Sequence, residues 1–100
     1  MTELQQHIDQ VKKLCREHDV RTLFAFGSVV SDRYNEDSDI DLVVDIDNND
    51  PFEYTDNYFD LKFQLADLLQ RKIDLLEDKA ISNPFLKKEI EDTKVLIYAK

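Results

Sequence analysis

Residues 39 to 46, Asp-Ile-Asp-Leu-Val-Val-Asp-Ile, carry the clearest alternation of apolar and acidic side chains in this chain. A period of two predicts a β-strand, because successive side chains of a strand point to opposite faces of its sheet. One predicted face is apolar, with Ile40, Leu42, Val44 and Ile46; the other carries Asp39, Asp41, Val43 and Asp45. An edge strand with a solvated acidic face gives the same pattern, so that alternative stays open at this point.

Asp39 and Asp41 are the first two carboxylates of the acidic face. A rise of about 3.3 Å per residue separates them by roughly 7 Å. Two unit charges at that distance repel by about 2.4 kcal/mol at an effective dielectric constant near 20. A divalent cation bound between them would reverse this repulsion, and the pair is therefore a candidate metal site.

A second apolar run, Val20 to Phe26, predicts a central strand and ends at Gly27, the only glycine of the chain. Average usage would give about seven glycines in a chain of this length. A lone glycine at a strand end indicates a positive φ angle or close approach of the backbone to a ligand. Ser28 offers a hydroxyl and an amide N–H to a phosphate if a short helix begins there. The alternative is that Ser28 caps that helix.

The rest of the pattern predicts three helices and two strands. A first helix ends near His18, and its apolar stripe consists of Leu4, Ile8, Val11, Leu14 and Cys15. A long helix runs from Asp50-Pro51 to about Gln70 and buries some combination of Phe59, Leu61, Leu65, Leu68 and Leu69. A strand over Lys72 to Leu76, a helix from Asn83-Pro84 and a strand over Lys94 to Tyr98 follow. The predicted fold class is α/β (α+β), a small mixed β-sheet packed against helices.

Asp74 stands within the otherwise apolar third strand, where a carboxylate is costly unless it is paired or metal-bound. The alternative is an aspartate at the end of the strand, bonded to Arg71 or Lys72. The long helix carries five aromatic residues that we expect mainly in the core, with Tyr54 or Tyr58 as the candidate for a nucleotide contact. The two histidines, His7 and His18, show no metal-ligand spacing, and we expect them in solvent or at helix ends.

Length and composition predict one domain over residues 1–100, able to bury a modest core. No signal-peptide pattern or membrane-length apolar run is present, so we expect a cytoplasmic location. The net charge of −9 argues against extended contact with nucleic acid, and it fits a metal or a basic protein partner. The single cysteine, Cys15, is expected in the core.

The two motifs together resemble the signature of the DNA polymerase beta-like nucleotidyltransferase superfamily. They are Gly27-Ser28 and, after ten intervening residues, Asp39-x-Asp41. The likeness is greatest to its minimal single-domain members, the MNT proteins that pair as antitoxins with HEPN toxins. It runs over nearly the whole chain, including Arg71-Lys-Ile-Asp74-Leu-Leu and Asn83-Pro-Phe-Leu-Lys-Lys-Glu-Ile. This resemblance also implies the topology of the sheet.

The resemblance implies an Mg²⁺-dependent transfer of AMP from ATP to a protein hydroxyl, namely a tyrosine of a HEPN-type toxin. Two Mg²⁺ ions and the catalysis are then assigned to Asp39, Asp41 and Asp74. Nucleotide binding is assigned to Gly27, Ser28 and Arg33.

The chain departs from the family pattern at two positions, where Ser31 and Asp32 replace a common arginine and glycine. Arg33 can replace the missing arginine only if the loop turns suitably. A decayed module that neutralises its partner by binding alone therefore stays open as an alternative. A third alternative is nucleotidyl transfer to a small molecule, which at this length would need a homodimer or another partner to complete the acceptor pocket.

Overall fold

The computed structural model describes residues 2–35 and 37–100, and within them four strands form one mixed sheet. The strands are β1 (Val20–Phe26), β2 (Ile40–Ile46), β3 (Ile73–Glu77) and β4 (Val95–Ala99). The helices are α1 (Thr2–Gln6), α2 (Ile8–Glu17), α3 (Pro51–Leu69) and α4 (Pro84–Thr93), and 3₁₀ turns cover Gly27–Val30 and Asp78–Ala80. The predicted fold class and element order are confirmed.

The acidic strand β2 lies in the interior of the sheet, whose strand order is β3-β2-β1-β4. It pairs antiparallel with β1 and parallel with β3, and β1 pairs antiparallel with β4 on its other side. The edge-strand interpretation of residues 40–46 is therefore wrong. The parallel pairing needs a crossover connection, which α3 provides.

The two faces of β2 pack against different helices. Its apolar side chains Ile40, Leu42, Val44 and Ile46 join the main core, which includes Val11 of α2 and Leu61 of α3. Val43 points to the other face and packs with Phe26 and with Ile90 of α4. Asp41 shares this second face with Val43, so α4 and the acidic residues lie on the same side of the sheet.

The starts of α3 and α4 follow from their N-cap residues, as predicted. The side chain of Asp50 accepts hydrogen bonds from the amides of Phe52 and Glu53 at 2.9 and 3.2 Å. Asn83 caps α4 in the same way. In each helix a proline occupies the first turn, where its missing N–H is not needed.

The N-terminal helix ends near His18 as predicted, but it is divided at His7 into α1 and α2. His18 is buried rather than solvated: it caps α2, its Nδ1 lies 2.7 Å from the carbonyl of Leu14, and its Nε2 lies 2.6 Å from Asp60 of α3. Cys15 is fully buried, which confirms the predicted core residue, and this burial raises the pKa of its thiol to about 12.

The aromatic residues of α3 divide between two faces, which corrects the expectation that they lie mainly in the core. Tyr54 and Tyr58 pack against the core, but Phe59 is 61% exposed, and Phe52 and Phe63 are more exposed still. The buried face is built from leucines at a spacing of four, Leu61, Leu65 and Leu69. Position 59 lies about 200° around the helix from Leu61, since each residue turns by about 100°.

No helix among the described residues is long and apolar enough to cross a membrane.

Candidate active site

Gly27 brings the end of β1 against a carboxylate of β2. Its φ angle is 73°, in the region that residues with a Cβ rarely adopt, and a Cβ there would lie 2.7 Å from Oδ2 of Asp41. The strand register places Asp41 opposite Phe26, the residue before this glycine. The predicted positive φ angle of Gly27 is confirmed, and the group that its backbone approaches is the Asp41 carboxylate. Close approach to a ligand stays a prediction.

Asp41 and Asp74 lie side by side on neighbouring parallel strands, where they are register partners. Burial, together with the smaller effect of the negative charges of Asp74, Asp39 and Glu89, raises the pKa of Asp41 to about 6. Asp74 itself is exposed on the edge strand β3. The two strands thus bring together carboxylates that are 33 residues apart in the sequence.

Asp39 immediately precedes β2 and is exposed, with 47% of its side chain accessible. Its Oδ2 lies 3.9 Å from Nζ of Lys72, the residue before β3. Lys72 therefore pairs with Asp39, and Arg71 bonds elsewhere. The alternative in which Asp74 bonds to Arg71 or Lys72 is not what the described residues show.

Arg71 fixes the loop that leads into β2, a role that the sequence did not reveal. Its guanidinium donates to the carbonyl oxygens of Asn35 and Ser38 at 2.8 and 2.9 Å, and to Glu3 of α1 at 3.0 Å. It also lies over the ring of Tyr34 at 4.9 Å. Since Ser38 directly precedes Asp39, these bonds position the first carboxylate of the acidic motif.

A cavity of about 480 Å³ opens beside Gly27 and is lined by Gly27, Ser28, Val30, Ser31, Arg33, Glu89 and Thr93. Three of these residues, Gly27, Ser28 and Arg33, are the predicted nucleotide-binding residues. Glu89 and Thr93 come from α4, about 60 residues further along the chain, and no local sequence signal indicates them. Glu89 adds a fourth carboxylate near Asp41.

The loop after Gly27 turns back on itself, which is the condition that the prediction for Arg33 required. Ser31 Oγ donates to the carbonyl of Ser28 at 3.0 Å and accepts from the amide of Arg33 at 3.2 Å. Ser28 lies inside the 3₁₀ turn, whose N-cap is Phe26, so the alternative that Ser28 caps a helix is wrong. Ser28 itself lines the cavity.

The two candidate tyrosines lie outside the residues that line this cavity. Tyr58 donates its hydroxyl to the carbonyl of Leu75 at 2.5 Å. The ring of Tyr54 lies under Nζ of Lys79 at 3.8 Å. Both rings connect α3 to the segment of β3 and the turn that follows it.

The carboxylates fit a hard divalent cation in ligand type and charge, since Mg²⁺ prefers carboxylate oxygens and would relieve the repulsion that raises the pKa of Asp41. Among residues 2–35 and 37–100, no three His, Cys, Asp or Glu side chains are gathered closely enough to enclose an ion. Asp41 and Asp74 are adjacent, and Asp39 instead lies near Lys72.

Comparison with known families gives one match over most of the chain. The model of the family described as polymerase beta, nucleotidyltransferase, matches residues 9–100. A relative from Methanocaldococcus jannaschii, described as a candidate protein adenylyltransferase, is 31% identical over 98 residues, which are 97% of each chain. The match therefore includes every site residue described above.

Solved structures agree with this fold. A minimal nucleotidyltransferase is 26% identical with a TM-score of 0.75, and the alignment covers 92% of this chain and 90% of that one. A toxin–antitoxin structure with AMP-PNP has a TM-score of 0.72 at 21% identity, covering 93% and 73% of the two chains. A complex of tri-AMPylated HEPN toxin with MNT antitoxin from Shewanella oneidensis has a TM-score of 0.67 at 20% identity, covering 96% and 72%.

Proposed function

Because this chain belongs to the polymerase beta nucleotidyltransferase family, we propose that it transfers AMP from ATP to a hydroxyl group of a protein. One observation carries the proposal: the cavity at Gly27, Ser28 and Arg33 lies directly beside the carboxylate of Asp41. The residues that we propose to bind phosphate and the carboxylate that we propose to bind metal thus meet at Gly27. We treat residues 1–100 as a single minimal nucleotidyltransferase domain.

The three aspartates are the proposed metal and catalytic residues. Asp39, Asp41 and Asp74 would hold two Mg²⁺ ions, which when bound neutralise the phosphate charge and acidify the attacking hydroxyl. The raised pKa of Asp41 is caused mainly by burial and in smaller part by the negative charges of Asp74, Asp39 and Glu89, and it is this second contribution, which a cation would balance, that supports the assignment. Asp74 is exposed at the sheet edge, and we assign it to the side from which the acceptor approaches.

The nucleotide would occupy the cavity with its phosphates against Gly27, Ser28 and Arg33. Ser28 offers its hydroxyl, and Arg33 offers a cation in place of the family arginine that Ser31 replaces. Ser31 supports this substitution, since its hydroxyl bonds to the amide of Arg33 and holds the turn. Without a Cβ at Gly27, the backbone leaves room for the Asp41 carboxylate at the phosphates.

In the proposed reaction, the acceptor oxygen forms a bond to the α-phosphorus of ATP. The bond from that phosphorus to the oxygen bridging to the β-phosphate breaks, and pyrophosphate leaves with the bonding electrons. A carboxylate oxygen of Asp74 accepts the proton of the acceptor hydroxyl and passes it to solvent. The chain's contribution is mainly positioning and charge stabilisation.

We propose a tyrosine of a HEPN-type toxin as the acceptor, which would make the chain an antitoxin. The relative described as a candidate protein adenylyltransferase supports a protein acceptor. The structural neighbour whose HEPN toxin carries AMP supports this class of partner, and the neighbour with AMP-PNP supports ATP as the donor. The exposure of Asp74 leaves space for a protein side chain.

The proposal is tested by incubating the protein and Mg²⁺ with a lysate of its source cells, using α-³²P ATP in one arm and γ-³²P ATP in the other. AMP transfer predicts a labelled protein band in the α arm alone, because the γ-phosphate leaves with pyrophosphate. Mass spectrometry of the band then identifies the acceptor residue. Label of a band in the γ arm alone would indicate phosphorylation, and ATP binding without any label in protein would favour the binding module or a small-molecule acceptor.

A further inference from the structure

Three phenylalanines form an exposed stripe along the outer face of α3. Phe52, Phe59 and Phe63 are 83%, 61% and 73% accessible. Their spacings of seven and four residues place them within about 40° of one another around the helix. Phe59 and Phe63 also line a groove of about 560 Å³, whose other walls are Lys62, Ala66, Lys72 and Ile73.

The stripe is as large as the largest apolar patch of a typical monomer. A phenylalanine side chain presents about 200 Å², so the three rings expose roughly 400 Å² of apolar surface. The largest apolar patch of a typical monomer covers about 300 to 600 Å² and often marks an interaction site. This surface is therefore a candidate interface.

The charged residues of the same face are arranged symmetrically about Phe59. Asp56 precedes it by three residues and Lys62 follows it by three, so both lie beside the stripe. Within residues 2–35 and 37–100, neither of these two charges takes part in an ion pair. Each of the two is therefore available to pair with an opposite charge on an incoming surface.

We propose that a second copy of this chain covers the stripe, with the two α3 helices antiparallel about a twofold axis at Phe59. Asp56 and Lys62 lie about 60° to opposite sides of Phe59, so where the two helices cross obliquely the axis brings Asp56 of each copy to Lys62 of the other, and the dimer contains two such ion pairs. The axis also places the large Phe52 opposite the small Ala66. A twofold axis requires one surface to complement itself, and this face does so in charge and in size.

Each chain carries a net charge of −9, which would make two copies repel each other. The proposed interface itself, however, is not strongly acidic. Its charges are Asp56, Lys62 and Lys72, so the acidic residues that dominate the net charge lie elsewhere. The apolar stripe is smaller than the roughly 800 Å² per partner of a standard interface. The dimer is therefore expected to be reversible and concentration-dependent, with a dissociation constant in the micromolar range.

Sedimentation velocity from low to several hundred micromolar protein tests this dimer. Wild type is expected to shift reversibly from monomer to dimer, and Phe59→Ser is expected to remain monomeric. The control is Phe85→Ser, which removes a ring on α4 that is even more exposed, at 85%, but lies outside the stripe. A wild type that stays monomeric throughout, or equal weakening by both variants, would overturn the proposal.

A charge exchange tests the twofold arrangement itself. Asp56→Lys alone and Lys62→Asp alone each set like charges opposite one another, and each should raise the dissociation constant about tenfold. The double variant Asp56→Lys, Lys62→Asp restores opposite charges and should return it to within about threefold of wild type. If the dissociation constant of the double variant stays as high as that of the single variants, the proposed axis is ruled out. The stripe would then be an interface for a protein of different sequence.

Discussion

At the scale of single residues, the site depends on a glycine that no other residue can replace without cost. Gly27 combines a φ angle of 73° with an approach of 2.7 Å between its missing Cβ position and Asp41. The atom that would be displaced is a carboxylate oxygen proposed to bind metal. Conformation and chemistry are therefore coupled at this one position.

Gly27→Ala is expected to reduce AMP transfer by about a hundredfold or more, because the new methyl group displaces the carboxylate of Asp41. The positive φ angle adds a stability cost of about 1 to 2 kcal/mol. Initial rates of label transfer, together with urea unfolding, separate the two effects. Ser31→Ala serves as the comparison, since it removes hydrogen bonds in the same loop without adding an atom; transfer at the wild-type rate in Gly27→Ala would contradict the account.

Asp41 should make the metal-free protein less stable as the pH rises from 3.8 to about 6. Its pKa is raised from 3.8 to about 6 in the folded state, mainly by burial, so in this window the folded chain binds more protons than the unfolded chain. A shift of two units corresponds to about 2.7 kcal/mol, which screening of this half-buried group reduces to about 1 kcal/mol.

Urea unfolding in EDTA from pH 4 to 7.5 checks this prediction by the difference between wild type and Asp41→Asn. The variant should be the more stable of the two at pH 7, and the difference should vanish toward pH 4. Subtraction removes the contributions of carboxylates such as Asp47 and Asp60, whose pKa values are lowered by their hydrogen bonds and which therefore act in the opposite direction. A difference that does not change with pH would show that the Asp41 carboxylate carries no such penalty.

At the scale of elements, the sequence predicted what depends on local periodicity and missed what depends on tertiary contact. The alternation of residues 39–46 predicted β2, and Asp50 and Asn83 predicted two helix starts. On α3, however, leucines and phenylalanines give two apolar faces, and periodicity cannot tell which one is buried. Glu89 reaches the cavity only because α4 packs across Phe26 and Val43, and the sequence contains no sign of that contact.

Arg71 joins three elements, and its removal should weaken both the fold and the site. Its side chain is 15% accessible and donates to two carbonyls of the loop before β2 and to Glu3. Charged hydrogen bonds of this kind contribute about 1.5 to 3 kcal/mol, so Arg71→Ala should lower the free energy of unfolding by about 2 to 3 kcal/mol. AMP transfer should also fall, because the backbone before Asp39 loses its support.

Arg21→Ala is the matched control for Arg71, since this arginine is 55% exposed and pairs with Asp45 and Asp47 at the other end of the sheet. Exposed pairs contribute about 0 to 1 kcal/mol, and transfer should be unchanged. Thermal unfolding and transfer rates of both variants provide the readout. Similar losses for the two arginines would refute the special role of Arg71.

At the scale of the whole molecule, the main hydrophobic core and the candidate active site lie on opposite faces of one sheet. The face of β2 toward α2 and α3 is apolar and forms the main core, and the face toward α4 carries Asp41 beside the cavity. The repulsion among the acidic residues is thus tolerated because the opposite face supplies the packing. The outer face of α3 lies beyond that core and carries the proposed interface with a second copy.

The most direct test of the proposed site compares two aspartates of one strand face. Asp41 and Asp45 both belong to β2 and are both half-buried, but only Asp41 lies against Gly27. Label transfer from α-³²P ATP should fall by about a hundredfold or more in Asp41→Asn and stay within about twofold of wild type in Asp45→Asn. Full transfer by Asp41→Asn, or an equal loss in both variants, would contradict the assignment of the chemistry to this site.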